Sequence, residues 1–142
     1  MAEGLTAKVS IEFHASPADV WKGLTDPAVV KQYFFGTNVV SDWKKGSPIF
    51  FRGEWEGKSY EDKGIILDIQ PGSLLKFNYW SSMSGTPDSP ENYMTVTYAL
   101  VQKDEITVLT VTQEGITTEE SLKHSSENWK TVFTGLKKIL ET

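Results

Sequence analysis

The spacing of hydrophobic and polar positions changes twice along the chain and divides it into three parts. From Leu5 to Phe13 the two kinds alternate without a break. Leu5, Ala7, Val9, Ile11 and Phe13 share one face, and Thr6, Lys8, Ser10 and Glu12 share the other, the period of a half-buried strand. Ser16-Pro17 and Asp26-Pro27 then each join a capping side chain to a proline suited to a first helical turn. They predict two short helices back to back. The first has Asp19 in its first turn and buries Val20, Trp21 and Leu24; the second covers Pro27 to about Tyr33 and is ended by Gly36.

From Asn38 the period is two. Pro48–Trp55, Ser59–Ile69, Ser73–Trp80, Asn92–Val101 and Ile106–Glu114 read as strands, with a weaker one near Asn38–Asp42. Turn chemistry separates them at Lys45-Gly46, Glu56-Gly57-Lys58, Gln70-Pro71-Gly72 and Lys103-Asp104, so the strands form an antiparallel meander. The long connection Ser81–Glu91, rich in Ser and Pro and tipped by Met83, is either a surface loop or a flap at a pocket mouth.

The last change of period is to 3.6 residues. Leu122, Trp129, Val132, Phe133, Leu136, Ile139 and Leu140 form one stripe of an amphipathic helix over Thr117–Leu140, with Lys123, Glu127, Lys130 and Lys137 opposite. Thr117 and Glu120 have the spacing of a capping box. So large an apolar stripe needs the strands as its partner, which makes an α+β layout of one domain, residues 1–142. Strand alternation places Leu75, Phe77 and Tyr79, then Val96, Tyr98 and Leu100, then Leu109, Val111 and Gln113 toward the helix. Tyr98 and Gln113 therefore need a protein partner, water or a ligand. Ser125 and Ser126 interrupt the stripe: either the first turns overhang the sheet and are solvated, or the helix borders a cavity there.

Composition narrows the function. A net charge of −5, without clustered basic residues among the aromatics, argues against nucleic acid or an anionic membrane as partner. The absence of cysteine removes disulfides, thiol nucleophiles and thiolate metal sites. Met1-Ala2-Glu3-Gly4 has neither the basic nor the apolar region of a signal peptide, and no apolar run reaches a membrane span, so a cytoplasmic location is expected. His14 and His124 are the two histidines, and neither sits in a catalytic or metal-binding signature. Adjacent carboxylates such as Glu61-Asp62 are poorly placed to converge on one substrate. No catalytic residue, metal or cofactor is expected. Aromatic residues are 12% of the chain, and Trp43, Trp55, Tyr79, Trp80, Tyr98, Trp129 and Phe133 are suited either to line a pocket or simply to fill the core. Arg52, the only arginine among 14 basic residues, is either an exposed cross-strand partner of Glu54, Glu61 or Asp62, or an anchor for an acidic ligand head.

The segments Val20-Trp21-Lys22-Gly23-Leu24-Thr25-Asp26-Pro27, Tyr33-Phe34-Phe35-Gly36, Gly53-Glu54-Trp55-Glu56-Gly57-Lys58, Glu61-Asp62-Lys63-Gly64, Gln70-Pro71-Gly72, Phe77-Asn78-Tyr79-Trp80, Asn128-Trp129-Lys130 and Leu136-Lys137-Lys138-Ile139-Leu140-Glu141 stand in that order along the chain. Together they resemble the START-like (SRPBCC) superfamily, in the branch named for the C-terminal domain of the activator of heat-shock-protein-90 ATPase. The resemblance implies the helix-grip fold: a curved antiparallel sheet of six to seven strands, two short helices after the first strand, and the long C-terminal helix over the concave face. Members bind hydrophobic small molecules, and some relatives are cyclases, hydrolases or lipid carriers. Alignment with the family puts Phe50 and Arg52 on the concave side, while Asn128 stands where the family usually has Gly. The eukaryotic activators carry a separate N-terminal domain that this sequence does not show, so chaperone stimulation is not expected of it.

The reading that combines these observations is a non-enzymatic domain holding a small apolar or amphipathic ligand between sheet and terminal helix. Its expected ligand-binding residues are Phe50, Arg52, Tyr79, Tyr98, Gln113, Ser125, Trp129 and Phe133. The alternatives are an enzyme of the same fold, a hydrolase or cyclase, and a co-chaperone-like interaction module. A free sheet edge, or the apolar faces of the short helices, would allow a homodimer.

Overall fold

The computed structural model describes residues 5–34, 36–55, 57–81 and 86–141, the Trp55 side chain excepted. The elements are β1 (Leu5–Phe13), α1 (Pro17–Thr25), α2 (Pro27–Tyr33), β2 (Asn38–Ser41), β3 (Pro48–Trp55), β4 (Lys58–Gln70), β5 (Leu74–Tyr79), a single helical turn at Pro90–Asn92, β6 (Met94–Lys103), β7 (Ile106–Ile116) and α3 (Glu119–Leu140). The strands form one seven-stranded antiparallel sheet in the order β1-β7-β6-β5-β4-β3-β2. This is the helix-grip α+β fold. The chain begins at one edge of the sheet, crosses through α1 and α2 to the opposite edge, and returns strand by strand until β7 pairs with β1.

The sheet curves because β4 serves two partners. Its first half pairs with β3 and its second half with β5, and the ladder with β5 slips between Ile66 and Asp68. At the junction, a Cβ on Gly64 would lie 1.7 Å from the backbone oxygen of Asn78. Only glycine permits that approach. Where the ladder is interrupted, the Ile65 amide donates to Asn78 Oδ1 at 2.7 Å, so a side chain replaces a lost backbone partner. A bulge of this kind bends a strand and increases its twist.

The core lies between the concave face and α3. Phe13, Val20, Ile49, Ile66, Leu75, Phe77, Val96, Leu109, Val111, Val132, Phe133 and Leu136 are fully buried there. The three inward sets expected on β5, β6 and β7 all take that face; only Tyr79, at the open end of β5, is half-buried. Ser16 and Asp26 cap α1 and α2 as the sequence indicates, accepting from the amides of Asp19 and Ala28. The cap of α3 is one residue later than expected. Thr118, not Thr117, accepts from the Ser121 amide at 3.1 Å, and Thr117 lies outside the helix. At the far end of α3, Lys137 Nζ donates to the Glu12 carbonyl at 2.6 Å and the Glu141 carboxylate accepts from the His14 amide at 3.1 Å. The helix is thus fixed to β1 at its C-terminal end, while its first turns pass over the open end of the sheet. Met83, expected at the tip of the long loop, falls outside the described residues. Asp88, within that connection, is tied to β4 by an ion pair with Lys63 at 2.5 Å and accepts from the Tyr93 hydroxyl.

Candidate functional site

Ser125 marks where α3 stops filling the concave face. There the structure holds a cavity of about 740 Å3, whose described lining combines Phe34 and Thr37 with Phe51, Tyr60 and Asp62 of β3 and β4, Phe77, Tyr79, Val96, Tyr98 and Gln113 of β5 to β7, and Ser125, Asn128 and Trp129 of α3. A second cavity of about 590 Å3 lies beyond Gln113, bordered by Met94, Ile116, Glu120 and Glu127. Gln113, His124 and Ser125 belong to both.

A run of rings builds the apolar wall. Phe34 stacks on Phe51 with centroids 6.0 Å apart, Phe51 meets Phe77 at 5.7 Å, and Phe77 meets Tyr98 edge-on at 5.5 Å. Tyr98 in turn meets Trp129 at 5.9 Å, and Trp129 lies parallel to Phe133 at 5.7 Å. Gly53 keeps one side of the wall in place. A Cβ there would come within 2.6 Å of the Tyr60 hydroxyl, so the Tyr60 ring lies across a bare backbone and its hydroxyl reaches Thr37 Oγ1 at 2.5 Å.

Polar groups enter this wall at three further places. Trp129 Nε1 donates to Gln113 Oε1 at 2.8 Å, and Gln113 Nε2 donates to Met94 Sδ at 3.0 Å. Gln113, which had to find a partner on an apolar helix, therefore finds it in the indole. Tyr79 donates to Asp62 Oδ2 at 2.6 Å. Tyr98 is only 5% exposed, and its hydroxyl has no hydrogen-bond partner among the described residues. That hydroxyl is not sealed in: no side-chain polar atom described as cut off from the solvent surface lacks a partner, so the Tyr98 oxygen opens onto the cavity. Burial pushes the Tyr98 hydroxyl well above its ordinary range. It does the same for Tyr79, with the nearby Asp62 charge adding to the effect. At neutral pH both are hydrogen-bond donors, not phenolates.

Of the eight residues expected to bind ligand, Tyr79, Tyr98, Gln113, Ser125 and Trp129 border the cavity together. Phe133 lies one turn deeper, 1% exposed, in the core behind Trp129. Phe50 and Arg52 are corrected: they lie on the outer face of β3. Arg52 Nε contacts Glu61 Oε2 at 2.6 Å, and its guanidinium sits over the Phe50 ring at 4.6 Å. The reason is pleat alternation, which turns Ile49 and Phe51 inward and Phe50 and Arg52 outward. Arg52 cannot anchor a ligand head inside the cavity from that face. The exposed cross-strand pair was the correct alternative for it. Among the other aromatics, Trp43 packs partly buried against the core, Trp80 borders Lys63 on the outside, and the Trp55 side chain falls outside the described residues. Sequence reasoning missed Phe34, Thr37, Phe51, Tyr60 and Asp62 as lining residues.

His14 is exposed at the end of β1 beside Glu141, and His124 is exposed on α3 at the rim of both cavities. Among the described residues no group of His, Asp and Glu side chains could hold a metal ion, and no helix is long and apolar enough to cross a membrane.

The family model described as Activator of Hsp90 ATPase homolog 1-like protein matches residues 14–141. The chain belongs to this family. No curated protein matches it in sequence. Among solved structures, one similar chain is a Cytophaga hutchinsonii protein studied in solution, 45% identical, with a TM-score of 0.86 over 99% of this chain and 97% of that one. Two more distant structures share the fold. One is the Aha1 dimer from Colwellia psychrerythraea, 16% identical, with a TM-score of 0.75 over 96% of both chains. The other is an Hsp90 activator from Plasmodium falciparum, 18% identical, with a TM-score of 0.74 over 97% of both. In this family member, the cavity is bordered where α3 carries Ser125 and Asn128 in place of large apolar side chains.

Proposed function

We propose that this member of the Activator of Hsp90 ATPase homolog 1-like family is a binding domain. It takes a small, largely apolar ligand between the curved sheet and the first turns of α3. The observation that supports this reading best is the cavity of about 740 Å3 beside Trp129, which falls within the usual range of small-molecule sites and combines an aromatic wall with a few placed polar groups. Phe51, Phe77, Val96 and Trp129 would hold the apolar body, with Tyr79, Tyr98 and Gln113 orienting it. The raised tyrosines favour binding over catalysis, because they supply donors and no base at neutral pH. A distant relative was solved as a dimer, and a dimer of this chain would have the free edges of β1 and β2 to pair through.

The test is a thermal-shift screen of amphipathic probes, followed by native mass spectrometry of the purified protein. A ligand at 100 times its Kd stabilises the fold by about 2.7 kcal/mol. Ser125→Phe, which places a ring in the cavity from a half-buried helix position, should abolish the shift and leave the unliganded Tm nearly unchanged. The reading fails if no probe raises the Tm, or if Ser125→Phe responds to the probes as the unmodified protein does.

A further inference from the structure

Asp62 is the only residue with a fixed charge among the described lining residues of the cavity. The two cations that flank it in the β3–β4 ladder are turned away from it. Arg52 and Lys63 lie on the outer face, where they pair with Glu61 and Asp88. Pleat alternation explains the separation: Phe51 opposes Asp62 on the inner face, while Arg52 opposes Glu61 and Phe50 opposes Lys63 on the outer one. An anionic head entering this cavity would meet a carboxylate and no fixed positive charge. A cationic head would meet that carboxylate within a wall of aromatic rings, which attract cations through their quadrupoles.

A second, independent feature marks the same space. The Tyr98 oxygen, on a side chain 95% buried by the 5% exposure given above, has lone pairs and a proton that no described residue engages. The oxygen opens onto the cavity, so a ligand group that enters there can bond to it in place of water. An ammonium N–H is suited to the oxygen of Tyr98 as well as to the Asp62 carboxylate.

We propose that the cavity selects amphipathic organic cations, an ammonium head on an apolar body, with Asp62 as the charge-recognising residue and Tyr98 as the second polar contact. This rests on the binding reading above and reverses the polarity expected from Arg52. The ammonium sits against Asp62, whose carboxylate also accepts from the Tyr79 hydroxyl at 2.6 Å. The apolar body extends along Phe51, Phe77 and Trp129.

The experiment compares three probes with unbranched ten-carbon chains, decylammonium, decanol and decanoate, each below its micelle-forming concentration. Binding is measured by titration calorimetry and Trp fluorescence at pH 8, above the ordinary histidine range. Decylammonium should bind at least tenfold more tightly than decanoate. Asp62→Asn should bring that ratio close to one. Glu105→Gln, which removes an exposed charge far from the cavity lining, should leave the ratio intact and so separate the local effect from the net charge of −5. The proposal is overturned if decanoate equals or exceeds the cation, or if the ratio survives Asp62→Asn. Should Asp62→Asn fail to fold, the ratio in the unmodified protein decides by itself. If decanol and decanoate bind and the cation does not, the binding reading stands and the charge preference falls. If none of the three binds, both fall.

Discussion

The hydrogen bond between Trp129 Nε1 and Gln113 Oε1 joins α3 to β7 at the wall between the two cavities, and its worth can be derived before it is measured. Gln113→Leu removes the acceptor of an indole N–H on a side chain only 8% exposed. An unpaired buried donor costs about 1–3 kcal/mol. Trp129 borders the cavity, so water entering there can take up part of the lost bond, and the lower half of the range is expected: about 1–2 kcal/mol. Trp129→Phe removes the donor, leaves Gln113 Oε1 without its partner, and deletes part of a ring packed between Phe34, Tyr98 and Phe133. That should cost about 2–3 kcal/mol, below the range of a full truncation to alanine. The double variant leaves neither polar group facing an absent partner. Its loss should be smaller than the sum of the singles by about 1 kcal/mol.

The assay is urea unfolding followed by circular dichroism at one protein concentration, with a common m-value across the four proteins as the check that the denatured state is unchanged. Hydrogen exchange of the Trp129 indole proton is an independent readout, and Gln113→Leu should accelerate it. The reasoning is refuted if the two single losses add to within about 0.4 kcal/mol, the scatter of uncoupled sites. Additivity would mean that the bond contributes no more than the water contacts it replaces, and that Gln113 is held in the wall by packing alone.

Three further outcomes follow from the same structure. Gly64→Ala places a methyl group against the Asn78 backbone oxygen and should destabilise the fold by about 3 kcal/mol or more, read by urea unfolding, whereas Gly46→Ala, with open space around its Cβ, should cost less. Tyr33, Tyr79 and Tyr98 have hydroxyl pKa values raised by burial. The folded state therefore holds their protons longer than the unfolded chain, and stability should fall as pH rises above the unfolded value of 10, by up to about 1.4 kcal/mol per pH unit for each. Absorbance at the phenolate band should show them ionising together with unfolding. The Glu141 carboxyl is held below its ordinary range, first by the His14 amide and then by the His14 ring and Lys137. Glu141→Gln should lower the Tm at pH 7, and the difference should vanish as pH falls below the ordinary glutamate value of 4.5 and through the lower folded-state one.

Most of the architecture could be read from periodicity because each change of period is tied to a burial requirement. Strand β1 alternates because one face meets α3, and α3 repeats at 3.6 residues because only one stripe can meet the sheet. The α3 cap was misplaced by one residue because Thr117 and Thr118 offer equivalent hydroxyls, and the choice between them depends on where β7 releases the chain. The bulge on β4 was not legible. Gly64 reads like any strand glycine, and only the approach of Asn78, from a strand ten residues further on, gives it a purpose.

The site was legible where hydrophobic alternation was allowed to decide, and not where alignment decided in its place. In Ile49-Phe50-Phe51-Arg52-Gly53-Glu54 one face carries Arg and Glu, and the other carries only Ile, Phe and Gly. Burial alone assigns the second set inward, as the structure has it, with Ile49 1% and Phe51 7% exposed. The placement of Arg52 inward required a shift of one position, and a one-residue shift exchanges the whole face. The same hairpin contained the position of Asp62. Trp55 pairs with Lys58, and counting back along the ladder sets Phe51 opposite Asp62. A turn read as three residues, with the strand starting at Ser59, hides that register. The charge inside the cavity thus depends on one residue of loop length. It changes the expected ligand head from an anion held by Arg52 to a cation held by Asp62.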